Sequence, residues 1–136
     1  MNLPEPGEIK IAEESDIAIA RRAVREVAGK LGFGVTETAR IVTAASELSR
    51  NVHKYAGEGV MHWRALVNGD ARGLELSFVD HGPGISDVEQ ALREGHSTGG
   101  GLGMGLPGAR RLMDEMEIHS VVKQGTTVLV RKWLRR

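Results

Sequence analysis

The chain contains no cysteine, which excludes disulfides and thiolate metal sites. Two Trp, two Phe and one Tyr are its only aromatic residues, so Ile, Val, Leu, Ala and Met must build the core. Neither sign of charge dominates, because 18 Lys and Arg balance 18 Asp and Glu. A neutral chain has no general electrostatic reason to bind nucleic acid or an anionic membrane, and neither partner is expected. No apolar run is long enough to span a bilayer, and no stretch has the pattern of a signal peptide. These absences point to a cytoplasmic protein. The basic end, Arg131-Lys132-Trp133-Leu134-Arg135-Arg136, reads as a solvated terminus. His53, His62, His81, His96 and His119 show no metal-ligand spacing and read as ordinary surface or loop residues.

What is present is ordinary for a globular protein: 136 residues, 40% hydrophobic and 26% charged. That length predicts one domain, 1–136, around a single core. Glu8 to Glu13 alternates polar and apolar, as a strand does. Ser15 or Asp16 can cap a helix that turns Ile17, Ala20, Val24 and Leu31 inward, and Gly32-Phe33-Gly34 ends it. Thr36 caps a longer helix reaching about Ala56. Strands 60–67 and 74–80 follow, joined by a hairpin connection through Asn68-Gly69-Asp70. After the break at His81-Gly82-Pro83-Gly84 come a short helix, 88–94, and a segment with seven glycines in the fourteen residues 95–108. Pro107 suits the first turn of a helix continuing to Met116. Strands 118–123 and 126–133 close the chain. This order predicts a two-layer α/β sandwich, a mixed β-sheet with helices on one face.

Polar residues on the long helix break the usual pattern. Glu47, Arg50, Asn51 and Lys54 stand at i, i+3, i+4 and i+7 and so share a face, while Ile41, Ala45, Leu48, Val52 and Tyr55 form an apolar stripe beside it. One side anchors the helix; the other offers a carboxylate, an amide and two cations. A solvated ion-paired face would look the same. The glycine segment lets backbone approach a polyphosphate and leads into a helix N-terminus, where N–H groups favour anions. Gly103-Met104-Gly105-Leu106-Pro107-Gly108 satisfies GxGxxG, but a dinucleotide fold needs a strand directly before that motif, and here a helix and a glycine-rich stretch precede it. Asp80 ends an otherwise apolar strand. Its carboxylate can receive an exocyclic amine at the edge of a buried pocket, or cap its own turn.

Glu47-x-x-x-Asn51, Asp80-x-Gly82-x-Gly84 and Gly101-x-Gly103-x-Gly105 together resemble the N, G1 and G2 boxes of the GHKL (Bergerat-fold) ATPase/kinase superfamily. The ungapped segments SELSRNVHKYAG, DHGPGI and GLGMGLPGARRLMDE are similar to the RsbT group of small serine/threonine switch kinases. The resemblance covers nearly the whole chain and implies ATP and Mg²⁺ as ligands. It gives Asn51 the Mg²⁺ ion, Asp80 the adenine amine, and Gly82, Gly84 and Ile85 the walls of the adenine pocket. Gly99, Gly100, Gly101, Leu102, Gly103, Met104 and Gly105 would wrap the phosphates as a short lid, and Thr126 would lie near the adenine; the glycine content by itself predicts that 95–101 is mobile without nucleotide. Glu47 would be the general base toward a serine or threonine hydroxyl of a partner. Charge neutralisation matters more than covalent help in phosphoryl transfer, which suits Arg50 and Lys54 as phosphate-side cations.

The resemblance further implies a STAS-domain antagonist as substrate in a bacterial stress-response partner-switching pathway, a PP2C-type phosphatase regulator as a second partner, and a stressosome scaffold as a place of work. An anti-sigma factor kinase, or an ATP-gated module that acts by sequestering partners, fits the same boxes.

Overall fold

The computed structural model describes residues 2–93 and 102–135, with backbone alone for 102–104. The chain runs β1 (Gly7–Ile11), α1 (Glu14–Leu31), α2 (Val35–Asn51), a π-helical turn (Val52–Ala56), β2 (Gly59–Asn68), β3 (Ala71–Asp80), α3 (Val88–Ala91), α4 (Leu102–Leu112), β4 (Glu115–Val121) and β5 (Gly125–Trp133). The strands form one sheet in the order β1-β2-β3-β5-β4. The two-layer α/β sandwich is as expected.

The mixed sheet is not, since all four pairings among the described residues are antiparallel. Connectivity explains the difference. Between β1 and β2 the chain goes out along α1 and back along α2, so β2 returns antiparallel beside β1. After β3, the α3–α4 crossover delivers β4 to the far edge, and the tight turn at Lys123-Gln124 folds β5 into the gap between β3 and β4. Strands of like direction exist here, but they are never neighbours.

Alternation decides which face is covered. Leu74, Leu76 and Phe78 of β3, Val128 and Val130 of β5, and Met61 of β2 are buried in one cluster with Val24 and Ala28 of α1, Ile41, Ala45 and Leu48 of α2, and Leu106 and Ala109 of α4. Each fully buried Leu or Phe in such a cluster contributes about 2 kcal/mol. The other face carries a ladder of opposite charges: Arg64, Glu75 and Arg131 are successive register partners, and Arg131 also binds Glu115 and Glu117. Burial pushes the Glu75 carboxyl up, but hydrogen bonds from Arg64 and Arg131 outweigh it and hold the group below the usual carboxylate range.

Several boundaries differ from the sequence reading. The N-cap of α1 is Glu13, not Ser15 or Asp16; Asp16 sits inside the first turn and accepts the N–H groups of Ala12 at 2.9 Å and Glu13 at 3.0 Å, so the helix begins at Glu14. Gly34, not Thr36, is the N-cap of α2. α3 ends at Ala91, with Asp87 accepting the Gln90 N–H at its start. α4 starts at Leu102 and holds Pro107 inside it, whereas Pro107 was expected in its first turn. It also ends sooner, because Asp114 N–H bonds to Arg131 O and pulls the chain into β4 at Glu115. The GxGxxG match therefore lies wholly within α4, and the element before it among the described residues is the helix α3 rather than a strand.

The basic terminus is not simply solvated. Lys132 is only 5% exposed, on the helix-facing side of β5. Its Nζ bonds to Leu112 O at 2.9 Å and lies 3.1 Å from Glu37 Oε2, outside hydrogen-bond geometry.

Candidate active site

At the end of the sandwich where α2 stops and α4 starts, the two layers part around a cavity of about 100 Å³, open at its mouth. Its apolar wall comes from the stripe read on α2, Leu48, Val52 and Tyr55, together with Phe78, Leu106 and Val128. Its polar groups are few: Asn51, Asp80 and Thr126. A concave, largely apolar space with a few converging polar groups is what a planar organic ligand needs.

Asp80 stands at the end of β3, directly opposite Thr126 of β5. Its Oδ1 accepts the N–H of Gly82 at 2.9 Å and of Thr126 at 3.2 Å, which fixes the carboxylate plane at the cavity edge. The following turn explains the two glycines. A side chain at Gly82 would meet Ala56, while Gly84 has φ +77 and backs onto the Val121 and Val122 backbone. Pro83 O accepts Lys123 N–H at 2.7 Å, pinning this turn to the β4–β5 hairpin. Ile85 lies beside it as a cavity wall.

Asn51 closes α2 where the helix widens into the π-helical turn. Such wide turns recur at functional sites. The Asn51 amide is buried and its Nδ2 has no hydrogen-bond partner among the described residues, and the same holds for the Tyr55 hydroxyl. Gly105 of α4 sits so close that any side chain there would collide with the Asn51 amide. Buried polar atoms without partners cost stability unless something else satisfies them.

Glu47, one turn before Asn51, is partly exposed, and its Oε1 accepts from Arg50 Nη1 at 3.3 Å. Arg50 is thus beside the carboxylate, outside the described cavity lining. Lys54 lies on the π-helical turn with its ammonium 5.4 Å from the centre of the Tyr55 ring. The widened turn interrupts the regular i+7 step from Glu47, so the four polar residues do not form one straight row. Of the glycine segment, Gly99, Gly100 and Gly101 lie outside the described residues; Leu102, Gly103 and Met104 form the first turn of α4.

A family model described as Histidine kinase-like ATPase domain matches residues 11–132. The serine/threonine-protein kinase RsbT of Bacillus subtilis (strain 168) is 46% identical over 127 residues, covering 93% of this chain and 96% of that one. The chain belongs to the RsbT-type kinases of this ATPase family. The anti-sigma F factor of Halalkalibacterium halodurans is 33% identical over 132 residues, covering 92% and 89% of the two chains. Among solved structures, the RsbU and RsbW domains of a Mycobacterium tuberculosis protein superpose with a TM-score of 0.67 at 24% identity, covering 98% of this chain and 34% of that one. That likeness concerns the fold. ATP is the nucleotide of an ATPase-family domain.

Sequence reasoning placed Asn51, Asp80, Gly84, Ile85 and Thr126 at this cavity. It gave Tyr55 and Leu48 to the core stripe and passed over Pro83 and Leu106. Position could have found Tyr55, because it stands one turn beyond Asn51 as the only tyrosine of the chain.

Proposed function

We propose that residues 1–136 form one Mg²⁺- and ATP-dependent protein serine/threonine kinase domain whose substrate is a STAS-domain antagonist in a cytoplasmic partner-switching pathway. The observation that carries this reading is the pairing of a backbone-oriented Asp80 with the unpartnered Asn51 Nδ2 across one apolar cavity. Asp80 accepts the exocyclic amine of adenine through its second oxygen. The ring lies between the apolar wall of α2 and the Pro83–Ile85 turn, with Thr126 near its polar edge. Gly82 and Gly84 let that turn close on the base, and Gly99 to Gly105 wrap the phosphates.

The donor set fits magnesium. Mg²⁺ prefers oxygen ligands, keeps several waters and is commonly held by few protein groups plus phosphates; the amide oxygen of Asn51 would supply one such ligand, while its unpartnered Nδ2 can only donate a hydrogen bond. The ion would neutralise charge on the transferring phosphoryl group. Glu47 accepts the proton of a substrate hydroxyl, whose oxygen attacks the terminal phosphorus as the bond from that phosphorus to the β–γ bridging oxygen breaks and ADP leaves. Arg50, already on Glu47, orients that carboxylate and faces the phosphate side with Lys54. In the test, Glu47→Ala loses phosphotransfer to a STAS partner while ATP affinity stays within about twofold. Retained phosphotransfer would remove Glu47 as the base.

A second output is docking onto a PP2C-type phosphatase regulator, with a stressosome scaffold as the setting. Under that reading the Glu47→Ala protein still binds and activates the phosphatase. The likeness to proteins named anti-sigma F factors favours one alternative, an ATP-gated module that sequesters a sigma factor. A stable sigma complex in pull-down, with no phosphorylated STAS product, would select it.

A further inference from the structure

Ser120 lies on the helix-facing side of β4, opposite Thr126 in the strand register. It is outside the described cavity lining, yet its hydroxyl stands behind two residues that belong to it, Ile85 and Thr126. Ser120 Oγ accepts the Ile85 N–H at 2.7 Å, lies 2.8 Å from Thr126 Oγ1 and 3.3 Å from Gly125 O. A serine hydroxyl has one proton and two lone pairs. Ile85 takes one lone pair, which leaves two arrangements. In the first, Ser120 donates to Gly125 O over the longer path and accepts from Thr126, so the Thr126 proton points away from the cavity. In the second, Ser120 donates over the shorter path to Thr126 Oγ1, and the Thr126 proton can turn into the cavity.

We propose that Ser120 is a specificity-determining positioning residue, which orients and polarises the Thr126 hydroxyl as a donor to the ring-nitrogen acceptor beside the amine that Asp80 receives. This rests on the adenine reading above. The edge of adenine presents an amine donor and, next to it, the N1 acceptor. Asp80, when ionised, can only accept, so the neighbouring group must donate. Asp80 and Thr126 are partners on one rung of the sheet, and Asp80 Oδ1 also receives the Thr126 N–H, which roots both reading groups at one point. Chains of hydroxyls polarise one another. The Ser120-to-Thr126 bond therefore strengthens the donor as well as aiming it, whether Thr126 reaches N1 directly or through one water.

The test must alter the acceptor while leaving the amine intact. In 1-deaza-ATP a C–H group replaces N1 and the amine is kept. Dissociation constants for ATP and 1-deaza-ATP are measured by calorimetry with the wild type, Thr126→Val, Ser120→Ala, the nearly isosteric Ser120→Cys, and Ser120→Thr. The wild type should prefer ATP about tenfold, and Thr126→Val should bring the ratio close to one. Ser120→Ala and Ser120→Cys should lower the wild-type ratio about threefold, while Ser120→Thr, which keeps the hydroxyl, should hold it. An unchanged ratio in both Ser120→Ala and Ser120→Cys, even with weaker binding of both nucleotides, would mean that Ser120 merely braces Ile85 and would overturn the proposal. Equal wild-type affinity for the two nucleotides would overturn it as well. Absence of ATP binding by the wild type would sink the nucleotide reading itself and, with it, the relay.

Discussion

Helices α2 and α4 meet two opposite environments at their two ends. Where α2 begins and α4 ends, buried charge is matched: the Lys132 ammonium touches Leu112 O, Glu37 and Asp114, and Asp114 also holds Arg135 and the Trp133 N–H. Where α2 ends and α4 begins, buried polar atoms are left over, Asn51 Nδ2 and the Tyr55 hydroxyl. The contrast is one of charge: at the first pole even Glu37 Oε2, which has no hydrogen bond, lies 3.1 Å from an ammonium, whereas the atoms left over at the second are neutral. On the function proposed above, the pole with neutral polar atoms left over takes the ligand, and the charge-matched pole fixes the two helices that carry it.

The largest expected effect breaks the matched pole. Lys132→Ala removes a buried cation and leaves the Glu37 and Asp114 carboxylates facing each other, which should lower stability by about 3 kcal/mol in urea unfolding. Adding Glu37→Gln should recover part of that loss. At the other pole, Asp80→Asn should weaken ATP binding about thirtyfold with a stability change under about 1 kcal/mol. If Asp80→Asn destabilised as much as Lys132→Ala, both poles would be structural and the contrast would fail.

Acid offers a smaller and graded challenge. Burial pushes the Glu37 carboxyl up, but the Lys132 ammonium beside it and a hydrogen bond from Arg40 outweigh it and hold the group below its usual value. Glu75 behaves alike between Arg64 and Arg131. A carboxyl depressed in the fold contributes stability above its unfolded pKa of about 4.3 and loses it as the pH falls through the lower folded pKa. Unfolding free energy should therefore drop as the pH falls through that window, and less steeply in the Glu37→Gln and Glu75→Gln variants. A slope unchanged in both variants would remove these two carboxyls as its cause.

The two poles were unequally legible in the sequence. Asn51, Asp80 and the turn glycines announce themselves because each breaks a local rule: an amide one turn from a carboxylate on a helix face, a charge ending an apolar strand, and glycine where Gly84 takes φ +77. Lys132 breaks no local rule. Strand alternation around Val128 and Val130 turns it inward, but only the arrival of Glu37, about 95 residues earlier in the chain, makes that burial tolerable, and no local pattern encodes the meeting. The sheet was misread for a related reason, since the insertion of β5 between β3 and β4 is a property of the hairpin's fold-back rather than of either strand's sequence. Ser120 was invisible for the opposite cause: a serine on a strand face is unremarkable until Ile85 N–H and Thr126 Oγ1 reach it.

The smallest effect is also the sharpest. Tyr55→Phe deletes a hydroxyl that is buried and without a partner among the described residues, while keeping the ring against the cavity wall. An ordinary structural tyrosine has its hydroxyl bonded, and losing that bond costs about 1 kcal/mol. Here the sign should reverse in the nucleotide-free protein, with Tyr55→Phe gaining up to about 1 kcal/mol because the desolvation cost of the hydroxyl disappears. Saturating ATP should then stabilise the variant less than the wild type, since the missing hydroxyl is one that the ligand would satisfy. Thermal unfolding with and without ATP reads both signs from the same four samples. A Tyr55→Phe protein that is less stable without nucleotide, yet stabilised by ATP as much as the wild type, would place this hydroxyl with the matched groups at the far end of the helices and dissolve the distinction at that residue.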